Sequence, residues 1–120
     1  FNGDFEAGNV GWVQSTANAL PIITANLTPT NNNRWNAWFC GYDNCLDQMY
    51  QDVTIPLDAQ SADLRYTFLV DTLETAVVTA YDTMAVQIFS PPNSATPSAT
   101  CGGLSNLNAG TTWTLSSNCS

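Results

Sequence analysis

Histidine and lysine are absent from this chain, and arginine occurs only twice, at Arg34 and Arg65. Those absences exclude Ser–His, Cys–His and Ser–Lys nucleophile pairs. A carboxylate pair that hydrolyses a glycoside is compatible with the composition, yet no Asp or Glu pair stands out by spacing. A non-catalytic role is expected. With ten acids against two bases the formal charge is −8. A basic surface that neutralises phosphate is therefore missing, which excludes nucleic acid as a partner and argues against docking on anionic lipid. No apolar run approaches the roughly 20 residues of a membrane helix, so membrane insertion is not expected. The chain starts at Phe1 and reads as a mature or excised product.

Charged residues are only 10% of the chain, while hydrophobic residues are 44%. The interior has ample material, and the polar surface is left to Asn, Thr, Ser and Gln. A length of 120 residues suits one domain. The acids have two readings, a solvated acidic surface or carboxylates gathered around a hard cation. Calcium is the ion that suits them, with Asp43, Asn44 and Asp47 as the candidate ligands. The same residues also serve as turn formers.

A period of two dominates the hydrophobic pattern, and no stretch shows a helical period. In residues 47–55, Met49, Gln51, Val53 and Ile55 share one face, and Tyr50, Asp52 and Thr54 the other. Leu64, Tyr66, Phe68 and Val70 form the inward set of the next run, and Met84, Val86 and Ile88 that of a third. Weaker strands are expected at 10–14, 20–24, 35–40 and 112–118, and segment 24–33 is expected to be a loop. Residues 56–61 read as a hairpin connection, and the tandem prolines Pro91 and Pro92 end the run before them. Many short strands with this turn spacing predict an all-β, antiparallel sandwich spanning 1–120.

Four cysteines, Cys40, Cys45, Cys101 and Cys119, point to disulfides and an oxidising, extracellular compartment. The spacing does not suit zinc. A hairpin folded at Gly110 would bring Cys101 opposite Cys119, leaving Cys40 and Cys45 to close a small ring. This is the favoured one of the possible pairings. Trp12, Trp35, Trp38 and Tyr42 are the candidates for stacking on glycans, because a flat ring offers an apolar face to sugar CH groups. Trp35 and Trp38 are three apart, so a regular strand points them to opposite faces. Each is also an ordinary core residue by type. Asn26-Leu-Thr28 and Asn118-Cys-Ser120 fit the N-glycosylation tripeptide.

Several segments taken together carry a resemblance. They are Asn2-Gly-Asp-Phe-Glu6 with Gly11-Trp12, Ala37-Trp-Phe-Cys-Gly-Tyr-Asp-Asn-Cys-Leu-Asp47, Tyr50-Gln-Asp-Val-Thr-Ile-Pro56, Glu74-Thr75 with Thr79-Ala-Tyr-Asp82, and Leu104-Ser-Asn-Leu107. In order and spacing they resemble bacterial and archaeal secreted jelly-roll modules, the carbohydrate-binding-module-like domains appended to extracellular peptidases and surface proteins. Where those modules resemble Gly-Gly-Tyr-Asn-Asn-Ala, this chain has Cys at both 40 and 45, which favours a bond between them. The modules also continue beyond the Trp113 strand. The resemblance therefore implies a sandwich open for a strand from a neighbouring chain, the donor-strand mode of pili. Two functions are expected from it. One is a structural subunit of a cell-surface filament or sheath, built from copies of itself, with residues 1–7 as the donor strand. The alternative is a glycan-binding adhesion module of a parent surface protein.

Overall fold

A computed structural model describes residues 1–26, 34–75 and 77–119. The described residues form strands and turns with a single 3-10 turn and no α-helix. All strand pairs are antiparallel, so the protein is all-β. The strands form four two-stranded ladders. The chain divides into two compact units, Phe1–Thr54 and Ile55–Ser120.

The first unit contains β1 (Val13–Thr16), β2 (Ile23–Thr24), β3 (Asn36–Ala37) and β4 (Asp47–Tyr50). β1 pairs with β4, from Val13 opposite Tyr50 to Thr16 opposite Asp47. β2 pairs with β3, and the Trp38 N–H extends that ladder by donating to the Ile22 carbonyl at 2.8 Å. The consecutive residues Ile22 and Ile23 are both buried. Neighbours on an extended chain point to opposite sides, so this short stretch is covered on both. On β1 the apolar Val13 is exposed and Gln14 is half-buried. The inward amide is satisfied, since Gln14 Oε1 accepts the N–H groups of Ile22 at 2.8 Å and Ile23 at 3.1 Å.

Two expectations for this unit are corrected. The strand expected at 10–14 starts at Val13, because turns precede it. Gly11 has φ +83°, and the Trp12 N–H closes onto the Asn9 carbonyl. A Cβ at Gly11 would also come 2.9 Å from the Phe1 ring. The strand expected at 47–55 stops at Tyr50, where its partner β1 ends at Val13. Residues 51–55 keep the period-two sequence but have no ladder partner among the described residues.

In the second unit, β5 is Thr67–Phe68, β6 is Thr83–Ile88, β7 is Ala99–Ser105 and β8 is Thr114–Leu115. β6 and β7 form the longest ladder, a hairpin with a bulge between Ala85 and Gln87. Met84, Val86 and Ile88 are its half-buried face, as their alternation predicts. β5 pairs with β8, and Leu64 and Cys119 extend the pairing with two mutual backbone hydrogen bonds. Tyr66, Phe68 and Val70 are half-buried, whereas Leu64 is exposed.

Both expected hairpins are overturned. Residues 56–59 do turn, with the Ala59 N–H on the Pro56 carbonyl. The flanking runs do not meet across that turn, however, because β4 takes β1 and β5 takes β8. The turn before Gly110 includes the 3-10 turn Asn106–Asn108, capped by Ser105. Its flanking strands also part, β7 to β6 and β8 to β5. The pairing of Cys101 with Cys119 nevertheless forms, and it ties one ladder to the other instead of closing a hairpin. Tyr66 reinforces this tie by donating its hydroxyl to the Cys101 carbonyl at 3.2 Å.

Candidate functional site

In the first unit the disulfide Cys40–Cys45 closes a small ring, with Cα atoms 5.2 Å apart. Cys40 and Asn44 both take left-handed backbone, at φ 58° and 54°. Asp47, the first residue of β4, holds the ring against the strand. Its Oδ2 accepts the Cys40 N–H at 2.9 Å, and its Oδ1 accepts the Tyr42 hydroxyl at 2.6 Å. The Tyr42 hydroxyl in turn accepts the Ala17 N–H at 3.1 Å. Trp38 lies close against Gly41, where a Cβ would come within 2.5 Å of Cζ2. Only glycine leaves room for the indole there. Trp38 remains 52% exposed.

These residues border a groove of ≈ 210 Å³, lined also by Asn18, Leu20 and Asn26. An exposed indole, a phenol and a carboxylate stand together with side-chain amides. That combination offers an apolar face beside hydrogen-bonding groups.

The four aromatic candidates divide between different surroundings. Trp38 and Tyr42 share the groove. Trp35 lines another, open depression with Glu6, Gly8, Pro21 and Ile23, and its backbone N–H donates to Glu6 Oε1 at 2.8 Å. Trp12 is spent on structure, since its Nε1–H donates to the Asn2 carbonyl at 2.9 Å and its ring tilts against Phe5. Asn18 was not singled out by its sequence. Its Oδ1 accepts the Leu20 N–H at 3.0 Å, so it organises the rim of the groove as an Asx turn.

The proposed calcium ligands Asp43, Asn44 and Asp47 lie on or beside the ring, but Asp47 directs both oxygens at Cys40 and Tyr42. Among the described residues, no three acidic or thiol side chains gather as a metal-binding group. All four cysteines are in disulfides. Asn26 is exposed at the groove, while Leu27 and Thr28 of its tripeptide lie outside the described residues. Asn118 Oδ1 accepts a hydrogen bond from Arg65 Nε, and Ser120 also lies outside the described residues. No described helix is long and apolar enough to cross a membrane.

Burial pushes the Asp47 carboxyl up. The Cys40 N–H and the hydroxyls of Tyr42 and Thr16 outweigh this and hold it below its ordinary 3.8. Because the folded state binds the proton less readily than the unfolded chain, the carboxylate stabilises the fold above the ordinary value. That contribution is lost as pH falls through the folded value. Acid melts should therefore show the first unit weakening below about pH 4, and Asp47→Asn should flatten that dependence. An equally steep acid loss in Asp47→Asn would exclude Asp47 as its source.

Compared with protein-family models, with curated proteins and with solved structures, the chain finds no match.

Proposed function

We propose that the protein is a non-catalytic extracellular structural subunit that assembles with copies of itself by β-strand addition. The run from Gln51 to Ile55 is the observation that supports this most. It alternates apolar and polar residues as a strand does, yet it has no ladder partner among the described residues. Its apolar side chains face solvent, with Val53 at 69% and Ile55 at 55%. Water-exposed alternation of this kind is unfavourable in an isolated chain and becomes favourable when the strand joins another sheet.

β6 is the edge that suits such a strand. Among the described residues it has one neighbour, β7, and its face of Met84, Val86 and Ile88 is only half-buried. Main-chain hydrogen bonds would supply the affinity, and the alternate apolar side chains would set the register. Residues 1–7 are less suited as donor, because Asn2 folds them into turns. Its side chain donates to the Gly8 and Val10 carbonyls and accepts the Ala7 N–H. Two disulfides and a lysine-free surface suit a protease-exposed extracellular fibre.

Negative-stain microscopy and sedimentation of the purified protein test this reading. Fibres are expected, and the double substitution Val53→Asp with Ile55→Asp should abolish them while leaving the far-UV spectrum and both disulfides intact. Folded, monodisperse 12.9 kDa monomers of the unsubstituted chain would sink the proposal. A second reading, a glycan-binding adhesion module, draws on the groove of Trp38 and Tyr42.

A further inference from the structure

We infer that Asn26 is glycosylated and that its first sugar packs into the groove against Trp38, so that the aromatic pair serves the chain's own glycan. The inference needs an exported protein and does not depend on assembly. Asn26 begins the acceptor tripeptide Asn26-Leu-Thr28. It is exposed and lines the same groove as Trp38 and Tyr42. The attachment point and the aromatic platform are thus neighbours.

The second acceptor tripeptide is built differently. Asn118 precedes the disulfide-bonded Cys119, whose backbone is paired with Leu64, and its side-chain oxygen is held by Arg65. Asn26 borders an open groove instead of a ladder.

The size of the groove favours an attached sugar over a captured one. At ≈ 210 Å³ it falls below the roughly 300–1,000 Å³ of sites that bury a free ligand. A free oligosaccharide would offset the loss of its translational freedom with few contacts. A tethered sugar has already lost most of that freedom, and the tether supplies a high effective concentration.

Polar groups match the sugar's hydroxyls. Asp47 keeps acceptor capacity beyond its bonds to Cys40, Tyr42 and Thr16, since a carboxylate has about four lone-pair sites. Asn18 also lines the groove, beside Leu20. The Cys40–Cys45 ring fixes Gly41 and Tyr42 within one short closed loop, so the platform is organised before the sugar arrives.

The modification is a group transfer with a lipid-linked diphosphate sugar as co-reactant. A bond forms between Asn26 Nδ2 and the anomeric carbon. That carbon's bond to the diphosphate oxygen breaks, and the lipid diphosphate leaves with the electron pair while the amide gives up a proton.

Intact mass and peptide mapping of the protein from its natural source test the inference, together with melts of variants produced in that source. A glycopeptide at Asn26 is expected. Asn26→Gln should remove its mass, and both Asn26→Gln and Trp38→Ala should lower the melting temperature of the first unit by roughly 4 °C. Trp38→Ala should keep the glycan attached. The double variant should fall no further than either single one, because both remove the same contact. Unmodified Asn26 in the natural protein would overturn the inference, as would additive losses in the double variant. Capture of free oligosaccharides by natural protein, lost in Trp38→Ala, would assign the groove to an external glycan and overturn it too.

Discussion

Replacing both Cys101 and Cys119 by Ser is expected to lower the stability of the second unit by about 3 kcal/mol. The bond spans 18 residues of sequence and joins the ladder of β6 and β7 to that of β5 and β8. Each ladder has only two strands, and a lone two-stranded ladder is marginal in water. The bridge restricts the unfolded chain over a long loop, and the loop-entropy cost grows with the logarithm of its length. Cys40–Cys45 spans only 5 residues, so its removal should cost less, about 2 kcal/mol. Urea melts of the two double variants would measure the order. Hydrogen exchange read on peptides 64–70 and 99–105 would show whether both ladders loosen together. A larger loss from the short ring, or protection unchanged in both peptides, would contradict this account of the bridge.

Asn106→Ala is expected to cost about 2–3 kcal/mol, the next largest effect of a single side chain. Asn106 is buried in a chain with few buried residues. Its Oδ1 accepts the N–H groups of Tyr81 at 2.8 Å and Asp82 at 3.3 Å. Its Nδ2 donates to the Thr79 carbonyl at 3.0 Å. One amide thus binds the segment entering β6 to the turn leaving β7. Alanine removes the partner of two N–H groups and one carbonyl, and each polar group left without a partner adds its desolvation cost. Asn106→Asp keeps both acceptor bonds but buries a carboxylate oxygen against the Thr79 carbonyl, so it should not restore wild-type stability in a denaturant series at neutral pH. Equal stability of Asn106→Ala and wild type would show that the amide has no structural role.

The Cys101–Cys119 bridge and Asn106 show how unevenly the fold was legible. Cysteine pairing is readable from number and spacing, although the hairpin at Gly110 that would bring Cys101 opposite Cys119 does not form. A hairpin about Gly110 is a local inference, and the actual partners of β7 and β8 are set by non-local pairing. The face of Met84, Val86 and Ile88 was readable because alternation reports a half-buried strand directly. Asn106 gave no such signal. An Asn in a polar turn looks the same whether it is solvated or is the buried hub of three hydrogen bonds.

The candidate site divides in the same manner. Trp38 and Tyr42 were identifiable by type, as were Trp12 and Trp35, and side-chain chemistry alone does not separate a platform from a brace. The separation comes from neighbours. Asn2 and Phe5 engage Trp12, Glu6 engages the backbone of Trp35, and Gly41 leaves Trp38 against the backbone and open to the groove. Asp47 was named for its carboxylate as a calcium ligand, and the fold directs that carboxylate at Cys40 and Tyr42.

Composition by itself determined the exclusions. A chain without His or Lys and with a charge of −8 has no nucleophile–base pair of the common kinds and no basic surface for phosphate. The period of two determined the all-β class, since alternation is a local property of an extended chain. Tertiary structure alone decided which strands pair, that Gln14 turns inward and that the 51–55 run has no ladder partner among the described residues. The physical reason is that pairing depends on residues distant in sequence, whose hydrogen bonds and contacts compete until one arrangement satisfies the most. Local pattern says that a segment is fit to be a strand. Only the folded chain says whether it has found a neighbour.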